Sequence, residues 1–122
     1  MHRKKKYINT TGEVYTVTDT GKVYHKGIRK SLSFDKDGYC IITLGNDTKR
    51  LHRLVAELFC TGQNTLDKFG NIRDEVDHID FQRKNNRFDN LRWRSKFENS
   101  RRKKGELWKK CSVFYHLLMI MI

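Results

Sequence analysis

The chain has 122 residues, a formal net charge of +12 and a sequence pI near 9.9. This length suits one domain and excludes a second full one, and the basic charge favours a polyanionic partner, most commonly nucleic acid. The three cysteines, Cys40, Cys60 and Cys111, are far apart and include no Cys-x-x-Cys pair, which argues against a disulfide framework or a zinc knuckle. Because the segment after the basic start is too polar for a signal peptide, we expect a cytoplasmic protein with reduced thiols.

The first part of the chain predicts a β-rich region. Runs of β-branched and aromatic residues occupy 13–18, 22–25 and 39–44, with a weaker alternation at 28–34 and turn signals at 19–21 and 35–38. We therefore expect three or four short antiparallel strands between about residues 13 and 44. The sheet is interpreted as a DNA-contacting ribbon, with a scaffold that packs on the next helix as the alternative. The DNA-contacting residues of such a ribbon would be Lys22, His25, Lys26, Arg29 and Lys30.

Residues 49–60 predict a helix with one buried face. The apolar side chains recur at the i, i+3, i+4, i+7, i+8 spacing of a buried stripe. They are Leu51, Leu54, Val55, Leu58 and Phe59. His52 lies off this stripe beside Arg53, which favours a structural or phosphate-contacting role over a catalytic one. Residues 61–73 have no periodicity and predict a connecting loop.

The segment 75–80 contains an acid and a histidine side by side, Asp77 and His78, and Asn90 and Asn99 follow His78 by 12 and 21 residues. Carboxylate and amide oxygens are ligands that suit Mg²⁺ or Mn²⁺, and histidine titrates close enough to neutrality to act as a general base. Asp77, His78 and Asn99 therefore indicate a metal site with a base beside it. The alternatives are a solvated acid, a surface histidine and, at Asn90, an ordinary turn or capping residue.

The runs 76–80, 85–93 and 97–99 together resemble the motif of the HNH endonuclease family, in the phage-type branch that has asparagine in place of the last histidine. A looser resemblance extends upstream through 38–39 and 51–59. It implies a ββα-metal finger, with strands at about 75–78 and 91–94, a long loop between them and a helix from about Ser95. It also implies that His78 is the general base, that Asp77 and Asn99 hold one Mg²⁺ or Mn²⁺, and that Asn90 ties the loop together and orients His78.

The remaining motif residues divide into apolar and basic sets. A small apolar core is predicted from Val76, Ile79, Phe88, Leu91, Trp93 and Phe97. Within it Trp93 is interpreted as a packing residue rather than a base-stacking platform, and Asp80 as a turn residue rather than a metal ligand. The basic side chains flank the proposed site and favour phosphate contact over a merely solvated face. They are Arg83, Lys84, Arg87, Arg92, Arg94, Arg101, Arg102, Lys103 and Lys104.

The expected fold class is α+β: a small N-terminal antiparallel β region plus a helix, followed by a ββα-metal (HNH) finger. We expect a DNA-contacting β region at 1–48, a helix and loop at 49–74, the nuclease motif at 75–104 and a tail at 105–122. From residue 113 the tail is apolar but too short to span a bilayer as a helix. It is interpreted as a terminal element docked on the sheet, with a self-association patch or the remnant of a longer DNA-binding region as alternatives.

The function expected from these observations is a metal-dependent HNH endonuclease that acts on double-stranded DNA. It would be of the homing type and phage-encoded, and it would act in the bacterial host cell. A monomer would nick DNA, whereas a dimer could cut both strands. Two other classes stay open, a non-catalytic basic DNA-binding regulator and an RNA-binding protein. The chain lacks the aromatic RNP motif and the GXXG loop of the common RNA-binding modules.

Overall fold

A computed structural model describes residues 3–102 of the chain. Lys103, Lys104 and the 105–122 tail, for which sequence-based predictions were made, lie outside the described residues. Within the described part, no helix is long and apolar enough to cross a membrane.

Two small antiparallel sheets form the first half of the chain. The first contains β1 (Lys4–Ile8), β2 (Val14–Thr18), β3 (Val23–His25) and β4 (Ile28–Arg29), each paired with the next. The second contains β5 (Ser33–Phe34), β6 (Cys40–Leu44) and β7 (Asp47–Arg50). The β-rich region is thus confirmed, but the weak run at 28–34 is divided between the two sheets. Strands β1 and β7 were not predicted, because both consist mainly of charged residues and so lack the alternation of apolar and polar residue types that marks a half-buried strand.

The first helix, α1 (Leu51–Phe59), follows β7 without a loop. Leu51, Leu54, Val55 and Phe59 are buried, as the spacing predicts, and pack against apolar side chains of β2, β3 and β6. The same core receives Leu91 and Trp93 from the second half of the chain. This helix therefore joins the N-terminal sheets to the motif that follows, and the packing role predicted for Trp93 is confirmed.

The second half of the chain forms a strand–loop–strand–helix unit. Strand β8 (Glu75–His78) pairs antiparallel with β9 (Leu91–Arg94), a short 3₁₀ turn (Phe88–Asn90) leads into β9, and a second helix, α2, begins at residue 96. Ser95 caps that helix, since its hydroxyl accepts a hydrogen bond from the Glu98 N–H at 3.1 Å and the Glu98 carboxylate accepts one from the Ser95 N–H at 3.0 Å. This reciprocal capping box explains why the helix begins where the sequence predicts it.

Two members of the predicted apolar core of the motif are in fact exposed. Ile79 is 42% exposed and Phe97 41% exposed. Ile79 comes directly after the end of β8, and Phe97 packs edge-on against Phe69 of the 61–73 loop, with ring centroids 5.0 Å apart. The prediction was wrong for these two side chains because an apolar residue type does not reveal which face of a strand end or of a short helix meets the core.

Candidate active site

A cavity of about 310 Å³ lies where α1, β8 and α2 meet the turn before β6. Its lining brings together Asp77, His78 and Asn99, three of the four residues that the sequence predicts for the metal and base. Asn90 does not line it. The full lining consists of Tyr39, Arg50, His52, Arg53, Glu75, Val76, Asp77, His78, Phe81, Arg83, Asn99 and Arg102.

His78 is the last residue of β8 and is only 5% exposed. Its Nε2 lies 2.9 Å from the side-chain oxygen of Asn86, while the Asn86 amide nitrogen is directed at the Lys84 carbonyl at 3.4 Å. Because an amide oxygen only accepts hydrogen bonds, this arrangement places the ring proton on Nε2 and leaves the Nδ1 lone pair free. Asn86 therefore sets the tautomer that a general base requires.

Asn90 holds the loop between β8 and β9 rather than contacting the histidine ring. Its side-chain nitrogen donates to the Asp80 carboxylate at 2.9 Å and to the Asn85 carbonyl at 2.8 Å, and its side-chain oxygen accepts from the Asp80 N–H at 3.1 Å. Hydrogen bonds from Asn85, the Gln82 backbone and Asn90 lower the pKa of Asp80. Asp80 is thus an ionised turn residue, in line with its interpretation from the sequence.

The loop also depends on a close approach to the first sheet. Gly21, in the turn between β2 and β3, has φ +88°, and a Cβ there would lie 3.1 Å from the backbone oxygen of Asn86. The neighbouring Asp19 carbonyl accepts a hydrogen bond from the Phe88 N–H at 2.8 Å. The N-terminal sheet therefore supports the loop residue that holds His78.

Asp77 and Asn99 offer oxygen atoms suited to a hard divalent cation. One Asp77 oxygen accepts hydrogen bonds from Arg92, at 3.0 Å, and from Arg102. Asn99 donates its amide nitrogen to Glu75 at 3.0 Å, but its side-chain oxygen is buried without a hydrogen-bond partner. A buried acceptor without a partner calls for a ligand, so the donor set fits Mg²⁺ or Mn²⁺.

The described residues contain no group of three or more His, Cys, Asp or Glu side chains that could hold a metal ion. A metal between Asp77 and Asn99 would therefore complete its coordination with water and substrate oxygens. Mg²⁺ commonly binds in this way, through one or two carboxylates together with phosphate oxygens.

Guanidinium groups form much of the cavity wall. Arg50 and Arg83 both stack on Tyr39, with guanidinium-to-ring distances of 4.4 and 4.5 Å, and Arg53 and Arg102 line the same cavity. Arg83 and Arg102 were predicted as DNA-contacting residues. Arg50 and Arg53 were not, although their position on either side of His52 was a usable signal. Such a wall suits an anionic phosphodiester.

The other predicted DNA-contacting residues lie away from the cavity. Lys22, Lys26 and Arg29 are exposed on the first sheet, whereas His25 stacks on Tyr15 with ring centroids 4.5 Å apart, and Lys30 lies over the same tyrosine ring. On the motif, Lys84, Arg87 and Arg101 are exposed, while Arg92 pairs with Asp77 and Arg94 with Glu98.

His52 is the site residue whose position the sequence did not reveal. It is 7% exposed, and its ring contacts those of Tyr39 and His78 at centroid distances of 5.0 and 4.8 Å; those two rings lie 6.1 Å apart, so the three form one cluster. Burial, followed by the nearby charges of His78, Arg50 and Arg53, lowers the pKa of His52 to about 3. The ring is therefore neutral at physiological pH.

A strand, a long loop, a second strand and a helix that present a histidine, a carboxylate and an amide to one basic cavity define a ββα finger. Residues 66–101 match the family model described as HNH endonuclease. Over 85 residues the chain is 32% identical to an uncharacterised HNH endonuclease of Acanthamoeba polyphaga mimivirus, a match that covers 65% of this chain and 24% of the relative. Through its 66–101 segment, the chain is therefore similar to the HNH endonucleases.

The fold is also similar to that of the HNH homing endonuclease I-HmuI, solved in work on its DNA binding and cleavage. The TM-score is 0.60 and the sequence identity 31%, over 84% of this chain and 59% of that one. The chain spans about a quarter of the length of the curated relative that it matches. The α+β fold class and the ββα finger expected from the sequence are confirmed.

Proposed function

We propose that the chain is a metal-dependent endonuclease that hydrolyses phosphodiester bonds of double-stranded DNA. The observation that carries the proposal is the meeting of His78, with a free Nδ1, and the unpartnered oxygen of Asn99 in one arginine-lined cavity. Hydrolysis of a phosphodiester needs a base for the attacking water and positive charge around the phosphate. His78 supplies the base, and the arginines of the cavity wall supply the positive charge.

Asp77 and Asn99 would hold a divalent cation, Mg²⁺ or Mn²⁺, which when bound neutralises charge on the phosphate and on the leaving oxygen. Nδ1 of His78 accepts a proton from the attacking water. The new P–O bond forms as the bond to the 3′ oxygen breaks, and the departing oxygen takes a proton from solvent water, which leaves a 5′ phosphate and a 3′ hydroxyl. Asn86 keeps the ring in the active tautomer, Asn90 holds the loop, and Arg50, Arg53 and Arg83 orient the phosphate.

The exposed basic side chains would capture DNA without regard to sequence. The first sheet contributes Lys22, Lys26 and Arg29, and the motif contributes Lys84, Arg87 and Arg101. Contacts of this kind give affinity that falls steeply with salt. We further propose a homing-type role, by analogy with the structural neighbour, for a virus-encoded or phage-encoded protein that acts in the host cell. A monomer would nick one strand.

The test is cleavage of a supercoiled plasmid with Mg²⁺ or with EDTA, by wild type and by His78→Ala. General-base catalysis contributes roughly 10²- to 10⁴-fold, so the variant should lose cutting by a factor in that range and keep salt-sensitive DNA binding. Open circles would indicate nicking and linear DNA would indicate cleavage of both strands. Cutting by the variant at the wild-type rate would contradict the assignment of His78.

One alternative is a DNA-binding regulator without catalysis. It would bind the plasmid with similar salt dependence but would convert none of it in any divalent metal. A competition assay between duplex DNA and structured RNA separates both DNA-directed functions from an RNA-binding protein, which would prefer the RNA.

A further inference from the structure

The histidine of α1, His52, occupies the wall of the catalytic cavity but belongs to neither the proposed metal ligands nor the proposed base. Its ring packs against both Tyr39 and His78 in a three-ring cluster, and only 7% of the residue is exposed. The residue lines the cavity, so its accessible remainder opens there. Its environment is fixed by long-range contacts with two other segments of the chain.

An imidazole is a costly choice for a purely structural ring at this position. Nδ1 of His52 is buried without a hydrogen-bond partner, and an unsatisfied buried nitrogen destabilises the fold. A phenylalanine would pack against the same two rings without that cost. Packing alone therefore does not explain an imidazole at this position, which points to a use for its other nitrogen, Nε2, towards the cavity that the residue lines.

The chemistry of the ring defines which ligand fits. With its pKa at about 3 the ring is neutral and carries one N–H. No acceptor for a proton lies at Nδ1, which favours the tautomer with the proton on Nε2 and gives the ring a single donor on its other edge. Arg50 and Arg53 stand beside this histidine on the cavity wall, so the ligand that meets the donor is expected to be an anion.

We propose that His52 is a substrate-binding residue whose Nε2–H donates a hydrogen bond to a phosphate oxygen of the DNA strand in the cavity. The proposal rests on the proposed nuclease function, because it identifies the anion as a phosphodiester of the substrate. Histidine at this position then supplies a donor that does not compete with His78 for the proton of the attacking water.

The experiment compares His52→Phe, which keeps the ring but removes both nitrogens, with His52→Gln, which keeps a donor but removes the ring, and with His52→Ala. Single-turnover cleavage of a duplex that wild type cuts is measured in Mg²⁺, and unfolding midpoints are measured for all four proteins. A hydrogen bond to a charged group has a strength that corresponds to roughly 10- to 100-fold. We expect His52→Phe to lose kcat/KM by about that factor while remaining at least as stable as wild type.

His52→Gln should recover a substantial part of the lost kcat/KM, and its kcat/KM should be higher than that of His52→Ala. Wild-type kcat/KM in His52→Phe would overturn the proposal, and so would a His52→Gln variant that is no better than His52→Ala. If wild type itself cuts no DNA, the nuclease function fails separately. The His52 proposal is then decided by duplex binding without metal, where weaker binding by His52→Phe supports it and equal binding overturns it.

Discussion

Replacing Gly21 with alanine tests whether the N-terminal sheet supports the catalytic histidine through Asn86. Gly21 has φ +88°, and an added Cβ would meet Asn86 at 3.1 Å from its backbone oxygen and 3.3 Å from its Cβ. Asn86 must therefore shift by a few tenths of an ångström, which strains its 2.9 Å hydrogen bond to His78. Losing a neutral hydrogen bond costs roughly 0.5–1.5 kcal/mol, so we expect kcat to fall by about 2- to 10-fold.

Gly12→Ala is the matched control. Gly12 has φ +86°, nearly the same backbone conformation, but a Cβ there meets nothing within 4 Å. Both variants incur the left-handed strain of about 1–2 kcal/mol, and only Gly21→Ala adds the contact with Asn86. Plasmid nicking rates at saturating DNA and urea unfolding curves are measured for both. Equal kcat values in the two variants would refute the inference that the first sheet positions the base.

Three further predictions concern the site itself. Asn86→Ala should lower kcat by about 10-fold or more with little change in KM, because the His78 ring loses the hydrogen bond that fixes its tautomer. Steady-state kinetics in which only KM changes would contradict this role. Asn99→Ala should raise the Mg²⁺ concentration for half-maximal cutting by at least ~10-fold, whereas the exposed neighbour Ser100→Ala should not; identical metal titrations would exclude Asn99 as a ligand. For His52 the pKa in the folded protein, about 3, lies below the ordinary value of 6.5. As pH drops from 6.5 towards 3, the unfolded chain therefore binds the proton first, and the free energy of unfolding falls. Chemical denaturation across that pH range should show this decrease in the free energy of unfolding for wild type and a smaller decrease for His52→Phe.

The sequence determined the local elements and the residue types of the site. Periodicity located α1 to within two residues at its start and one at its end, and the resemblance to the HNH motif located the strands at 75–78 and 91–94 and the helix that Ser95 caps. The prediction that His78 and Asn99 share a site rested on the residue types, their order and both spacings taken together, as the motif resemblance combines them. These features depend on contacts between residues that are close in sequence or fixed by one motif.

Only the tertiary structure decided what surrounds the base. Asn86, one of two adjacent asparagines, faces His78 because Gly21 of a distant turn lets the loop approach the first sheet. His52 reaches the cavity although it lies outside the aliphatic stripe of α1, because its ring packs against Tyr39 and His78 from two other segments. Such contacts join residues that are up to 65 positions apart, from Gly21 to Asn86. No local pattern of hydrophobicity or charge encodes them, since they arise only when the sheets, the helix and the finger pack on one core.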